Sequence, residues 1–346
     1  MSGMVRTVRG DVPAETIGRI VFHEHLLYDL VRPAERAAVD DAPITLANRW
    51  QVDYRSNENR NNARQTDPQI AATELERFSQ DGGSLLVDQS TFGIGRDPEG
   101  LRAASGASGV HVVAAAGTYV ADYLDAETLA LDIDGLEARF IAEVESGLDG
   151  TMVRAGLIGE IGTSYPILPV ERRALVAAAR ASRRTGAAIS VHPGRHRDAP
   201  FEIVSILSEA GADLSRVVIC HMDRTYPDGS GVRELLATGV CVEWDFFGIE
   251  QSHYWFGEVE LPTDLQRLHL IRRLFDEGWA DRILVSHDIC TCTRMTHWGG
   301  HGYGHLLRNG PDLMARAGFS PEQIDILLRR TPLRLLTLDV PTFNQE

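Results

Sequence analysis

The sequence predicts an α/β chain folded as one (β/α)8 TIM barrel, and three observations carry that prediction. Short β-rich runs recur eight times along the 346 residues, most of them followed by an amphipathic helical stretch. Apolar runs separated by helices are the pattern of parallel strands buried on both faces. Eight such units in about 270 residues is the count and span of a (β/α)8 barrel. A doubly wound open sheet would instead carry a Gly-rich fingerprint after its first strand, and none is present.

The strands are read, in order, at 19–23 (RIVFH), 84–88 (SLLVD), 110–116 (VHVVAAA) and 154–160 (RAGLIGE). They continue at 187–192 (AAISVH), 217–221 (VVICH), 240–245 (VCVEWD) and 282–288 (RILVSHD). Plain helices are read between them at 170–185, 200–210, 231–237 and 265–278. The stretch 32–67, which contains RSNENRNNARQ, is polar and aperiodic, and is read as an insertion after strand one. The Gly-rich stretch at about 290–310 is a candidate lid over the barrel mouth. Nothing repeats at a solenoid period and no segment is low-complexity, so the whole of 1–346 is read as a single domain.

Hydrophobic residues make up 43% and charged residues 24%, an ordinary globular composition that excludes wholesale disorder. The net charge of −15 argues against nucleic-acid or anionic-membrane partners, which demand clustered cations. All 34 basic residues are Arg. The absence of Lys excludes Schiff-base chemistry, a P-loop lysine and a carbamylated-lysine metal bridge. No apolar run reaches membrane-span length and the N-terminus lacks a signal-peptide core, so a cytoplasmic location is expected. The four cysteines, Cys220, Cys241, Cys290 and Cys292, are too sparse for a disulfide scaffold and fit a reducing compartment. The expected partner is a small-molecule substrate, with a homodimer left open.

The informative fact is where His, Asp and Glu fall. His23, His192 and His221 each close a strand, His25 follows His23 by two, Glu160 closes strand four and Asp288 closes strand eight. Residues two apart in an extended segment point the same way, so His23 and His25 can face inward together. Active sites of this fold lie at the C-terminal strand ends. Taken singly, each residue has an ordinary explanation as a satisfied histidine, a helix cap or a turn residue. Taken together, four imidazoles and two carboxylates on one rim suit zinc, or manganese, iron and cobalt.

The segments FHEHL, GLIGEIG, VHPGR, CHMDRT and LVSHDIC resemble the phosphotriesterase-related branch of the amidohydrolase superfamily, from Gly18 to about Leu338. RMTHWGGHGYGHLL is similar to that branch's loop after strand eight. The resemblance implies two metals. His23, His25 and Asp288 would hold one, His192 and His221 the other, with Glu160 and a water-derived hydroxide bridging them. Glu160 stands where the best-known phosphotriesterases carry a carboxylated lysine. A glutamate offers the same singly negative oxygen pair without needing CO2, and the change weakens any transfer of an organophosphate substrate.

The expected activity is hydrolysis at a carbonyl centre by the bridging hydroxide, on a lactone, ester or N-acyl amide, with slow phosphotriester turnover as a side activity. Lactones are placed first and N-acyl amides close behind. A true phosphotriesterase and a catalytically weak binding barrel are the alternatives. Asp288 is the expected proton acceptor and later donor. Tyr119, Tyr165 and Arg224 are candidate substrate contacts on the loops after strands three, four and six. Asp223 and Arg224 are read either as groups that orient substrate or relay protons, or as a surface ion pair. His287 should point away from the site, and His297, His301 and His305 are read as solvated or supporting side chains. Cys290 and Cys292 are not counted as ligands, because no second Cys/His pair stands at zinc spacing.

Overall fold

A computed structural model describes residues 3–338 except 39–40, 57 and 255. Its central sheet has eight strands: β1 (Arg19–Glu24), β2 (Gly83–Asp88), β3 (His111–Ala116), β4 (Leu157–Gly162), β5 (Ile189–His192), β6 (Val217–Ile219), β7 (Cys241–Trp244) and β8 (Ile283–Val285). They lie side by side in chain order, each pair parallel. Helices α1 (Pro68–Gln80), α2 (Pro98–Ser108), α3 (Ile133–Glu145), α4 (Pro169–Thr185), α5 (Ala199–Glu209), α6 (Val232–Ala237) and α7 (Asp264–Asp276) cover its outer face. Local signals start them: Asp67 and Asp97 accept backbone N–H bonds just ahead of Pro68 and Pro98, and Thr263 with Gln266 forms a capping box. All eight predicted strands and the four predicted helices are present, with ends shifted by a few residues. Among the described residues no helix is long and apolar enough to cross a membrane.

The strands sort their side chains into two cores. Ile20, Phe22, Leu85, Val87, Val113, Leu157, Val218, Cys220, Cys241 and Leu284, from seven strands or their ends, meet inside the barrel. Their chain neighbours, among them Val21, Leu86, Val112, Ile158, Ile189, Val217, Val242 and Ile283, pack outward against the helices. This is the period-2 alternation of a pleated strand, apolar on both faces because both are buried.

The seam between β8 and β1 is closed by side chains as much as by backbone. The Asp288 N–H donates to the His23 carbonyl at 3.1 Å, and the Ser286 hydroxyl stands 2.9 Å from both His23 N and His23 O. Glu24, the middle residue of the FHEHL segment, points away from the barrel interior and clasps the other strand. Its carboxylate accepts from Ser286 Oγ at 2.8 Å, His287 N at 3.1 Å and Ile289 N at 3.1 Å, and lies 2.6 Å from His287 Nδ1. Glu24→Ala would leave the buried N–H groups of His287 and Ile289 without this acceptor, while Ser286 keeps the His23 carbonyl. A loss of about 3–5 kcal/mol is expected, as when one partner of a buried polar pair is removed. Urea denaturation of the metal-free protein reads it, and a loss below about 1 kcal/mol would show that water replaces the carboxylate.

Part of the 32–67 stretch folds onto the barrel mouth. Arg64–Gln65 pairs antiparallel with Tyr28–Asp29. Arg49 donates to the carbonyls of Thr293 at 2.7 Å and Trp298 at 3.0 Å, tying the short helix Arg49–Tyr54 to the loop after β8.

Candidate metal centre

The six residues singled out in the sequence meet at the C-terminal end of the barrel, and different backbone devices bring them there. His192 and Asp288 follow the inward alternation of their strands. His23, Glu160 and His221 do not. A register shift between Val21 and Glu24 and another between Ile158 and Ile161 turn His23 and Glu160 inward. Bulges of this kind commonly re-aim side chains beside active sites. His221 is re-aimed by its own backbone, at φ 60°, and Asp288 also sits at φ 48°. His and Asp are among the non-glycine residues that tolerate this region, at a cost the surroundings must sustain. Gly159 needs to be glycine: its φ is 125° and a Cβ there would overlap the Ser190 carbonyl.

Glu160 lies between two groups of imidazoles. Its Oε1 is 3.5 Å from His25 Nε2, and its Oε2 is 3.0 Å from His192 Nδ1, 3.4 Å from His221 Nε2 and 3.6 Å from His23 Nε2. Asp288 Oδ1 lies 3.3 Å from His25 Nε2 and 3.9 Å from His23 Nε2. His192 Nδ1 and His221 Nε2 face one another at 2.9 Å. His23, His25 and Asp288 form one grouping compact enough to hold a cation, and His23, Glu160 and His221 form another.

The chemistry of the set fits cations rather than a closed hydrogen-bond network. His23 is fully buried, yet neither of its ring nitrogens has a hydrogen-bond partner among the described residues. Orphaned imidazole nitrogens in a dry interior are costly unless something takes their lone pairs. Burial pushes the His192 imidazole down to about 3, so it is neutral and able to donate a lone pair. Burial would raise the Glu160 carboxyl, but His192, His221 and His23 outweigh it and hold the group well below the usual carboxylate range.

Two carboxylates behind the site were not anticipated, although the alternation Cys241, Glu243, Asp245 along β7 and its end points all three inward. Asp245 accepts from His221 N at 3.0 Å and lies 2.9 Å from His221 Nδ1, which orients the ring so that Nε2 faces Glu160. Glu243 Oε2 is 3.4 Å from His23 Nδ1, and burial pushes its carboxyl up to about 7.

Asp223 and Arg224 are both buried and do not pair with each other. Asp223 pairs with the buried Arg267 and accepts the Asp245 N–H at 2.9 Å. Arg224 lines a cavity of about 770 Å³ above the six residues, together with Tyr119 and Tyr165. Tyr119 Oη is 3.5 Å from His192 Nδ1, whereas Tyr165 stands at the mouth, stacked on His196 at 4.1 Å between ring centroids. His287 points outward to Glu24, as expected from its place beside Asp288. His305 Nε2 pairs with Asp264 at 2.7 Å, and His297 packs edge-on against Trp298. None of His297, His301 and His305 belongs to a compact ligand grouping among the described residues. Cys290 lines the cavity and Cys292 packs against Arg64 O at 3.1 Å.

The sequence pattern of the phosphotriesterase family matches residues 3–336. An N-acetyltaurine hydrolase from Homo sapiens is 38% identical, over 97% of this chain and 99% of that protein. Among solved structures, a resiniferatoxin-binding protein from Rhodobacter sphaeroides superposes with a TM-score of 0.90 at 33% identity, covering 97% of this chain and 95% of that one. A lactonase from Listeria monocytogenes superposes with a TM-score of 0.80 at 25% identity, covering 97% of this chain and 100% of that one.

Proposed function

The chain belongs to the phosphotriesterase family and is a hydrolase, and from that premise we propose that it cleaves the amide bond of a small N-acylated amine bearing an acidic group, N-acetyltaurine being the reference substrate, at a binuclear metal centre. The observation that carries the metal reading is the convergence of four buried imidazoles on the two oxygens of Glu160, with neither ring nitrogen of His23 hydrogen-bonded among the described residues although carboxylates surround it. The hydrolase named for N-acetyltaurine matches at 38% identity and the lactonase at 25%, which moves amides ahead of the lactones that the sequence alone put first.

His23, His25 and Asp288 would hold one ion and His192 and His221 the other, with Glu160 between them. Zinc, manganese, cobalt or iron bound there would supply water activated at neutral pH and a Lewis acid for the acyl oxygen. The chain's own residues do the rest. Asp288 is the proton acceptor from the attacking water and the donor to the departing amine nitrogen, being a carboxylate at the site with an oxygen not fixed by backbone. Tyr119 presents a hydroxyl beside His192, where it can donate to the acyl oxygen. Residues of the insertion, among them Ser56 and Asn59, and of the loop after β8, among them Cys290 and Arg294, line the cavity.

The test is a panel run on protein stripped with a chelator and reloaded with zinc, manganese or cobalt. The kcat/KM is compared for N-acetyltaurine, N-acetyl amino acids, a γ-lactone, an aryl ester and an aryl dialkyl phosphate. N-acetyltaurine should lead the lactone by about tenfold or more, about 1.4 kcal/mol of transition-state preference. A lead for the phosphate, or a rate indifferent to the chelator, would overturn the reading.

A further inference from the structure

We propose that Arg224, with the Nε2–H of His192, forms an anion-binding subsite that selects substrates carrying a sulfonate or carboxylate a few bonds from the scissile carbonyl. The proposal rests on the metal-bound amide hydrolase described above, and its test separates the two.

Other deeply buried guanidinium groups of this chain are matched by carboxylates. Arg267 pairs with Asp223 and Asp264, and Arg96 with Glu143 and Asp149. Arg224 is 5% exposed and has no carboxylate within ion-pair distance among the described residues. Its Nη2 donates to the Pro193 carbonyl at 2.7 Å, but Nη1 has no partner among the described residues. A buried cation with a spare N–H is costly to keep unless something else supplies the counter-charge. Arg224 lines the cavity, so that something can be a ligand.

The surroundings agree. Arg195 and Arg294 line the same cavity; Arg195 Nε donates to Tyr254 Oη at 3.0 Å and Arg294 Nη1 to the Asp288 carbonyl at 3.3 Å, neither to a carboxylate. Glu160 and Asp288, the acids at the floor, are committed to cations in the loaded enzyme. Glu35 and Asp122, the other acids of the lining, are exposed at its mouth. A chain of net charge −15 therefore encloses a cavity whose unspent charges are guanidinium groups.

The tautomer of His192 makes the same demand. Its Nδ1 faces Glu160 and His221, so once Nδ1 gives its lone pair to a cation the ring proton must sit on Nε2. Nε2 is 3.4 Å from Arg224 Nη2. Two donors at that separation need a shared acceptor, and an oxygen of an anion is one. Only the imidazole ring separates this position from the metal-facing nitrogen. The acid must therefore sit on a short spacer from the carbonyl, and long ω-acids should be excluded.

The proposal is tested first by calorimetric titration of zinc-loaded wild type, Arg224→Met and Arg224→Lys with propane-1-sulfonate, butyrate and the neutral methyl propyl sulfone. Wild type should bind one of the anions about tenfold or more tighter than the sulfone, the scale of a charge-assisted hydrogen bond. Which anion leads identifies the acid. Arg224→Met should abolish the preference, and Arg224→Lys, which keeps the charge, should recover part of it and so excludes simple misfolding. Kinetically, the ratio of kcat/KM for N-acetyltaurine over its neutral methyl sulfone analogue should fall at least about 30-fold in Arg224→Met, mostly through KM. Wild type should also prefer N-acetyltaurine to 6-acetamidohexanesulfonate. An unchanged ratio in a folded Arg224→Met overturns the subsite and leaves the amide reading standing. Anion binding that depends on Arg224, in a protein that cleaves no amide, supports the subsite and removes the amide reading.

Discussion

Glu160→Ala is expected to lower bound metal from about two equivalents per chain to one or fewer and to cut turnover by at least about 10³-fold. The carboxylate offers Oε1 to the side of His25 and Oε2 to the side of His192 and His221, so one residue serves both halves of the centre. No other side chain of β4 can take its place: Gly159 and Gly162 carry none, and Leu157, Ile158 and Ile161 pack in the apolar cores. The chain has no lysine to be carboxylated elsewhere. Alanine also removes the charge that four clustered imidazoles share. Metal analysis by mass spectrometry after dialysis gives the stoichiometry, and the stabilisation that added zinc gives in a thermal melt gives an independent reading. Two equivalents retained with full turnover would show that the bridge lies elsewhere.

How far the site was legible depends, residue by residue, on whether its strand keeps strict alternation. The fold was legible because eight buried parallel strands are apolar on both faces, and that is a composition signal. The inward residues of the unbulged strands follow from counting by two: His192 from Ile189–His192, Asp288 from Leu284 and Ser286. The same count from Cys241 along VCVEWD places Glu243 and Asp245 inward as well. His23, Glu160 and His221 could not be placed that way, because counting by two from Phe22, Leu157 and Cys220 sends them outward. Two register shifts and one positive φ reverse that direction. Resemblance of the FHEHL, GLIGEIG and CHMDRT segments supplied what the period could not.

The partners of charged loop residues were the least legible. Asp223 and Arg224 are adjacent and of opposite sign, which suggests an ion pair, but the helical turn Met222–Thr225 sends them to different neighbours. Asp223 meets Arg267, which is 44 residues away in the chain, and no local pattern announces such a pairing. Arg224 is left facing the cavity for the same reason. Long-range electrostatics of this kind is settled by how loops lie over the barrel rather than by local propensity.

Asp288→Asn should reduce turnover by about 10²–10⁴-fold, the usual contribution of a general acid–base group, while the fold persists. Asparagine keeps the volume and tolerates the left-handed backbone that Asp288 adopts at φ 48°. The main-chain contacts that fix the residue also survive, since the N–H still donates to the His23 carbonyl and the carbonyl still accepts from Arg294. What is lost is the basic oxygen near His25, 3.3 Å from its Nε2. An amide oxygen can still face a cation, though weakly, but it cannot take a proton from water or deliver one to an amine. Ligation and proton transfer are therefore separable in this variant. Far-ultraviolet circular dichroism should match wild type and metal content should fall by less than in Glu160→Ala. An amide substrate, whose poor leaving group needs the proton, should lose more than an activated aryl ester, whose leaving group does not. Equal losses on both substrates, or a loss under about tenfold on the amide, would make Asp288 a ligand only and put the proton acceptor elsewhere in the cavity.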